Sequence, residues 1–170
     1  MPTIWGIDPG ISGAIVVIDG KTGRVTFYSF MPVMHSARGE VYIPALRVMA
    51  QTHGPILIAG LEEVNSGAVK GRQAAFTFGG AFYATKTFLE MRRIPFRLIQ
   101  PKAWQAHFGL SNRKGKDKSV VLASQRYPEV DWGRIAKSKA HNLADACLLA
   151  AYAMETYSGD TSVLQRRHLK

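Results

Sequence analysis

Asp8, Glu62 or its neighbour Glu63, His141 and Asp145 are the side chains whose types and spacing could do chemistry. Asp8 closes a mostly apolar run from Thr3 to Ile7 and opens an Asp8-Pro9-Gly10 turn. In such a turn proline presets φ, glycine accepts positive φ and the aspartate bonds back to the backbone. A later apolar run, Ile56 to Leu61, ends in Glu62-Glu63. His141 and Asp145 stand four residues apart, so on a helix they share a face. Carboxylates gathered at adjacent strand ends and faced by another from a helix repel one another unless a cation lies between them. A divalent metal is the economical answer. Mg²⁺ prefers hard oxygen ligands and keeps several waters, and two such ions about 4 Å apart stabilise both the attacking and the leaving oxygen of a phosphoryl displacement. Taken alone, Asp8-Pro9-Gly10 favours a plain hairpin turn; the matching acids elsewhere in the chain are what favour a metal.

Composition narrows the substrate. The 170 residues, 46% hydrophobic and 20% charged, suit one globular domain with a substantial core. A formal net charge of +10 points to a polyanionic partner, nucleic acid ahead of acidic lipid. Acidic ligands in a basic protein imply phosphodiester hydrolysis. The single cysteine, Cys147, lies among Ala146, Leu148 and Leu149, which excludes a disulfide framework and implies a buried, inert thiol in a reducing compartment. The chain shows no charged leader with an apolar core and no membrane-length apolar run, so the expected location is the cytoplasm, that of the host cell if the protein is viral.

The elements that must position these residues follow from periodicity. The opening run, Ala14–Ile18 and Arg24–Phe30 are three strands joined by short turns, an antiparallel meander. Residues 31–39 show no period and are expected to be a loop. Ile43, Leu46 and Met49 recur at helical spacing, and Gly54-Pro55 ends that helix. Ile56–Leu61 is a nearly continuous apolar run, as in a strand covered on both faces. Strand alternation therefore does not choose between Glu62 and Glu63. Phe78, Phe82, Thr85 and Leu89 share one face of a long helix that contains Gly79-Gly80. Ile94–Ile99 is a fifth strand, Pro101 opens a short helix with Lys102 and Trp104, and a basic loop from Asn112 to Lys118 leads into a helix from Ser119 to Arg126. Ser138 is the expected N-cap of a last helix carrying His141 and Asp145. The fold class is α/β: a five-stranded mixed sheet, three antiparallel strands plus two α-connected parallel strands, flanked by helices. The first and fourth strands are the expected central neighbours. Residues 1–157 form the domain and 158–170 a basic tail.

With these residues assembled, the chain resembles the RuvC-like Holliday junction resolvases of the RNase H-like nuclease superfamily, and is most similar to bacteriophage-type members. The resemblance runs from Thr3 to Tyr157. Ile4-Trp5-Gly6-Ile7-Asp8-Pro9-Gly10, Gly60-Leu61-Glu62-Glu63-Val64 and His141-Asn142-Leu143-Ala144-Asp145-Ala146 are similar to the three family motifs in order. The resemblance implies an RNase H-like fold, Asp8, Glu62 and Asp145 as metal ligands, and a metal-dependent endodeoxyribonuclease that resolves four-way junctions and other branched DNA by paired nicks. The cofactor implied is Mg²⁺ or Mn²⁺, two ions per site. His141 falls near a fourth family acid; imidazole suits Mn²⁺ better than Mg²⁺, so His141 is expected to bind the second metal or orient the attacking water. Lys118 matches a family lysine that assists catalysis or holds the scissile phosphate. Lys102 lies close to a second such lysine, but Trp104 takes the aligned place. Where relatives carry an aromatic wedge this chain has Asn65. Lys70, Arg72, Lys102, Arg113, Lys114, Lys116 and Lys118 are candidate DNA contacts. By resemblance the active form is a homodimer with Phe78, Phe82 and Gly79-Gly80 near its two-fold axis. The rival readings are a non-catalytic branched-DNA-binding protein of the same fold, and an actin-like phosphotransferase, which needs two duplicated domains.

Overall fold

Strands apolar on both faces demand cover on both faces, and the computed structural model supplies it. It describes residues 1–34, 39–63, 71–110 and 117–156. Asn65, Lys70, Arg113, Lys114, Lys116 and the 158–170 tail lie outside the described residues. β1 (Thr3–Ile7), β2 (Ala14–Asp19) and β3 (Val25–Phe30) form the antiparallel meander. β4 (Val33–Met34) and β5 (Glu40–Val41) pair into a small second sheet, where a loop was expected. Two-residue strands are too short to show a period. α1 (Ile43–Thr52) leads to β6 (Ile56–Glu62), which runs parallel to β1, and α2 (Arg72–Met91) leads to β7 (Phe96–Ile99), parallel to β6. The sheet order is β3-β2-β1-β6-β7, so β1 and β6 are the central neighbours expected. α3 (Pro101–His107), α4 (Asp117–Arg126), a 3-10 turn at Trp132–Arg134 and α5 (Lys137–Glu155) complete the described chain. α5 begins after Ala136, which makes no side-chain cap, so Ser138 lies inside the helix and is not its N-cap.

The period of two sorts the strand residues into two cores. Ile4, Val16, Ile18 and Ile58 pack with Leu143, Leu148 and Leu149 of α5 on one face. Trp5, Ile7, Val17, Ala59 and Leu61 pack with Phe82, Phe88 and Leu89 of α2 and with Leu46 of α1 on the other. Phe82, expected near a two-fold axis, is instead buried in this core. Phe78 is half-buried, with its ring beside Gly10. The outward face of α2 instead carries Phe76 and Tyr83, 72% and 66% exposed, with Gly79 and Gly80 between them. Cys147 is buried in the α5 core, and burial pushes its thiol well above the usual range, as expected of an inert group. Among the described residues no helix is long and apolar enough to cross a membrane.

Candidate active site

Parity along two strands aims two carboxylates the same way. Ile4 and Gly6 of β1 face α5, and so do Ile58 and Gly60 of β6. Two residues beyond each glycine come Asp8 and Glu62, on that same face by the period of two. Ile7 pairs with Leu61, so Asp8 and Glu62 are the next step along neighbouring parallel strands. This resolves the choice left open between the two glutamates: Glu62 turns toward α5, while Glu63 follows the strand end with its N–H bonded to Ile99 O at 2.8 Å. α5 can lie close because Gly6 and Gly60 present no side chain. A Cβ on Gly6 would collide with Ala146 O and Ala150 N, and one on Gly60 would stand 2.9 Å from Leu149 O. The helix thereby brings Asp145 to the pair, with Oδ1 buried, and His141 one turn nearer its N-terminus.

The three carboxylates interact. Burial first, then the charges of Glu62 and Asp145, push Asp8 up from 3.8 to about 7, against a backbone N–H from Gly10. Burial likewise pushes Glu62 up from 4.5 to about 7; a hydrogen bond from Trp104 opposes the rise and the charge of Asp145 adds to it. At about 1.4 kcal/mol per pKa step, ionising Asp8 at neutral pH with no cation present costs on the order of 4 kcal/mol more than in water. A divalent cation reverses that balance. Among the described residues no three His, Cys, Asp or Glu side chains already form a metal-ligating group. The donor set nevertheless fits Mg²⁺, which takes one or two carboxylates, fills its octahedron with water and substrate phosphate, and rarely uses an all-protein cage.

The loop after Asp8 is held from two sides. Asp8 N–H bonds to Ala14 O at 3.0 Å and Gly13 N–H to Gly10 O at 2.8 Å. Asn142 of α5, 8% exposed, donates Nδ2–H to Ser12 O at 2.5 Å. Asn142 was not picked out from sequence, and its neighbours in the motif give no sign that its partner lies 130 residues away. Trp104, which the resemblance puts at the aligned place of a family lysine, donates its indole N–H to Glu62 at 2.8 Å, a contact not expected from sequence.

Of the expected phosphate-binding cations within the described residues, Arg72, Lys102 and Lys118 are all exposed. Arg126 at the C-terminus of α4 pairs with Glu155 at the C-terminus of α5. Lys118 stands at the other end of α4. Lys102 is exposed and lies two residues before Trp104 on α3, and the hydrogen bond to Glu62 comes from Trp104.

Comparison with solved structures places this arrangement in a known fold. RuvC from Thermus thermophilus in complex with a Holliday junction substrate superposes with a TM-score of 0.63 at 16% identity, over 92% of this chain and 97% of that one. The fold is that of RuvC. A second Thermus thermophilus RuvC structure gives 0.62 at 17% identity, over 90% and 95% of the two chains. The yeast mitochondrial Holliday junction resolvase Ydc2 gives 0.54 at 16% identity, over 96% of this chain and 80% of that one. No family model and no curated protein sequence matches the chain. The five-stranded mixed sheet with helices on both faces is thus the RNase H-like α/β fold expected from sequence, and the RuvC fold aligns over nearly the whole chain at an identity too low to carry residue roles.

Proposed function

We propose that this protein is a divalent-metal-dependent endonuclease acting on four-way junctions and related branched DNA. The observation that carries the reading is the convergence of Asp8, Glu62 and Asp145, from two adjacent strand ends and the helix packed over them, into one electrostatically coupled site. A basic chain in the fold of proteins that include a RuvC solved with a Holliday junction supplies the substrate class.

Asp8, Glu62 and Asp145 hold Mg²⁺ or Mn²⁺, and His141, one helical turn from Asp145, takes part in binding a second ion or orients the attacking water. The bound metal supplies a nucleophilic water at neutral pH and charge stabilisation at the phosphorus. Lys118 neutralises a phosphate oxygen, and Arg72 and Lys102, with Lys70, Arg113, Lys114 and Lys116, contact phosphates without reading sequence. Two copies acting on opposing strands account for paired nicks. The stripe Phe76, Gly79, Gly80 and Tyr83, on one face of α2, is the surface through which they meet.

A synthetic four-way junction and a supercoiled plasmid extruding a cruciform test the reading together, each with Mg²⁺ or Mn²⁺. The wild type is expected to cut the junction and linearise the plasmid. Asp8→Asn should lose at least about a thousandfold in rate, since several kcal/mol of transition-state stabilisation go with the metal. His141→Ala should lose rate in both metals. Equal cleavage by wild type and Asp8→Asn contradicts the assignment; junction binding with no cleavage by the wild type favours the architectural alternative.

A further inference from the structure

One oxygen of Glu62 is already held. Trp104 Nε1–H donates to Glu62 Oε1 at 2.8 Å, and Trp104 is only 2% exposed. Strand register puts it there. Ile99 of β7 lies opposite Glu62 of β6, and α3 opens two residues later at Pro101, so the chain folds back over the strand end and its first turn carries Trp104 inward. The ring packs in one cluster with Ile99, Ala123, Tyr127 and Leu143, which limits its rotamers. Lys102, two residues earlier, is exposed.

The choice of donor has a chemical consequence. An indole donates one hydrogen bond, accepts none and carries no charge. A lysine here would partly neutralise the carboxylate and repel a dication. A neutral N–H fixes the plane of the carboxylate and leaves its charge available at Oε2.

We propose that Trp104 is a positioning residue for metal binding: its indole N–H anchors Glu62 Oε1 so that Oε2 is presented to the divalent cation in a fixed orientation. The inference rests on the metal-dependent reading of the site. Partners that orient a metal ligand in this way are worth about 10–100-fold in metal affinity or activity when removed.

Trp104→Phe keeps a packed ring and removes the donor. Mn²⁺ binding to the DNA-free protein, measured calorimetrically, is expected to weaken about 10–100-fold, and the Mn²⁺ dependence of junction cleavage to shift by a similar factor. A merely structural role would lower the melting temperature and leave the affinity of the folded protein unchanged, so unchanged affinity with an unchanged cleavage curve overturns the proposal. A wild type that binds no Mn²⁺ removes the metal-dependent reading and this inference together; a wild type that binds, matched by Trp104→Phe, removes only the inference. If Trp104→Phe does not fold, the ¹⁵N-indole spectrum of the wild type decides. The chain has three tryptophans, and the N–H peak displaced by Glu62→Ala should move on adding Mg²⁺ to the wild type. A peak that saturating Mg²⁺ leaves in place contradicts the proposal.

Discussion

Asp8 and Glu62 titrate near 3.8 and 4.5 when unperturbed and at about 7 in the folded chain, chiefly through burial and mutual repulsion with Asp145. The metal-free native state therefore holds more protons than the unfolded chain between these values, and stability falls as pH rises through that window. The stabilisation is complete below about pH 4 and lost above about pH 7. In chelator, the melting temperature is expected to drop by several degrees between about pH 5 and pH 8. Mg²⁺ should restore it at the alkaline end and change little at the acid end, because it binds the ionised carboxylates. Differential scanning fluorimetry across that range checks both statements, and a melting temperature that rises with pH in chelator would contradict them. At this scale the sequence was partly legible. Asp8 and Asp145 stand out as acids beside apolar runs, but Glu62 and Glu63 could not be told apart by alternation, because both faces of β6 are covered. A sign was present in Gly6-Ile7-Asp8 and Gly60-Leu61-Glu62, where a glycine two residues before each acid marks the face that α5 approaches. The resemblance put Trp104 at the aligned place of a family lysine, but its contact with Glu62 depends on the register of β7 against β6 and left no sign in the sequence.

The elements carry their own constraint, the close crossing of α5 over β1 and β6. Gly6 lies directly beneath Ala146 and Ala150, so any side chain there must push the helix outward. Gly6→Ala is expected to cost about 3 kcal/mol, the upper part of the usual overpacking range, or roughly 6–12 °C in melting temperature. Because the same helix carries Asp145, single-turnover junction cleavage should fall sharply even at temperatures where the variant is fully folded. A variant that melts early yet cleaves at the wild-type rate when folded would show that α5 spacing does not govern the site. The meander, the α-connected strands and the long helices were readable because each buries a face with a clear period. β4 and β5 were not, being two residues each. The start of α5 was misplaced because Ser138 has the chemistry of a cap, whereas the backbone turns helical directly after Ala136. Phe82 looked available for an interface because an apolar helix face reads the same whether it meets its own sheet or a second copy.

The whole molecule combines a net charge of +10 with a buried cluster of acids. On the proposed function, that excess of positive charge would draw in the phosphate backbone, and the ions released on binding would make affinity fall steeply with salt. The acids would meanwhile exclude that backbone until metal is bound, so metal and DNA are expected to reach the site cooperatively. The proposed function depends on whether Asp8, Glu62 and Asp145 hold a metal together. Crystals soaked in Mn²⁺ at a concentration that supports junction cleavage, with anomalous data collected at the manganese edge, test this most directly. The predicted result is an anomalous peak ligated by oxygens of Asp8, Glu62 and Asp145, with His141 Nδ1 or Nε2 at a second ion or at a water bound to it. Manganese seated elsewhere, or absent from that strand edge in protein that still cuts the junction, would contradict it.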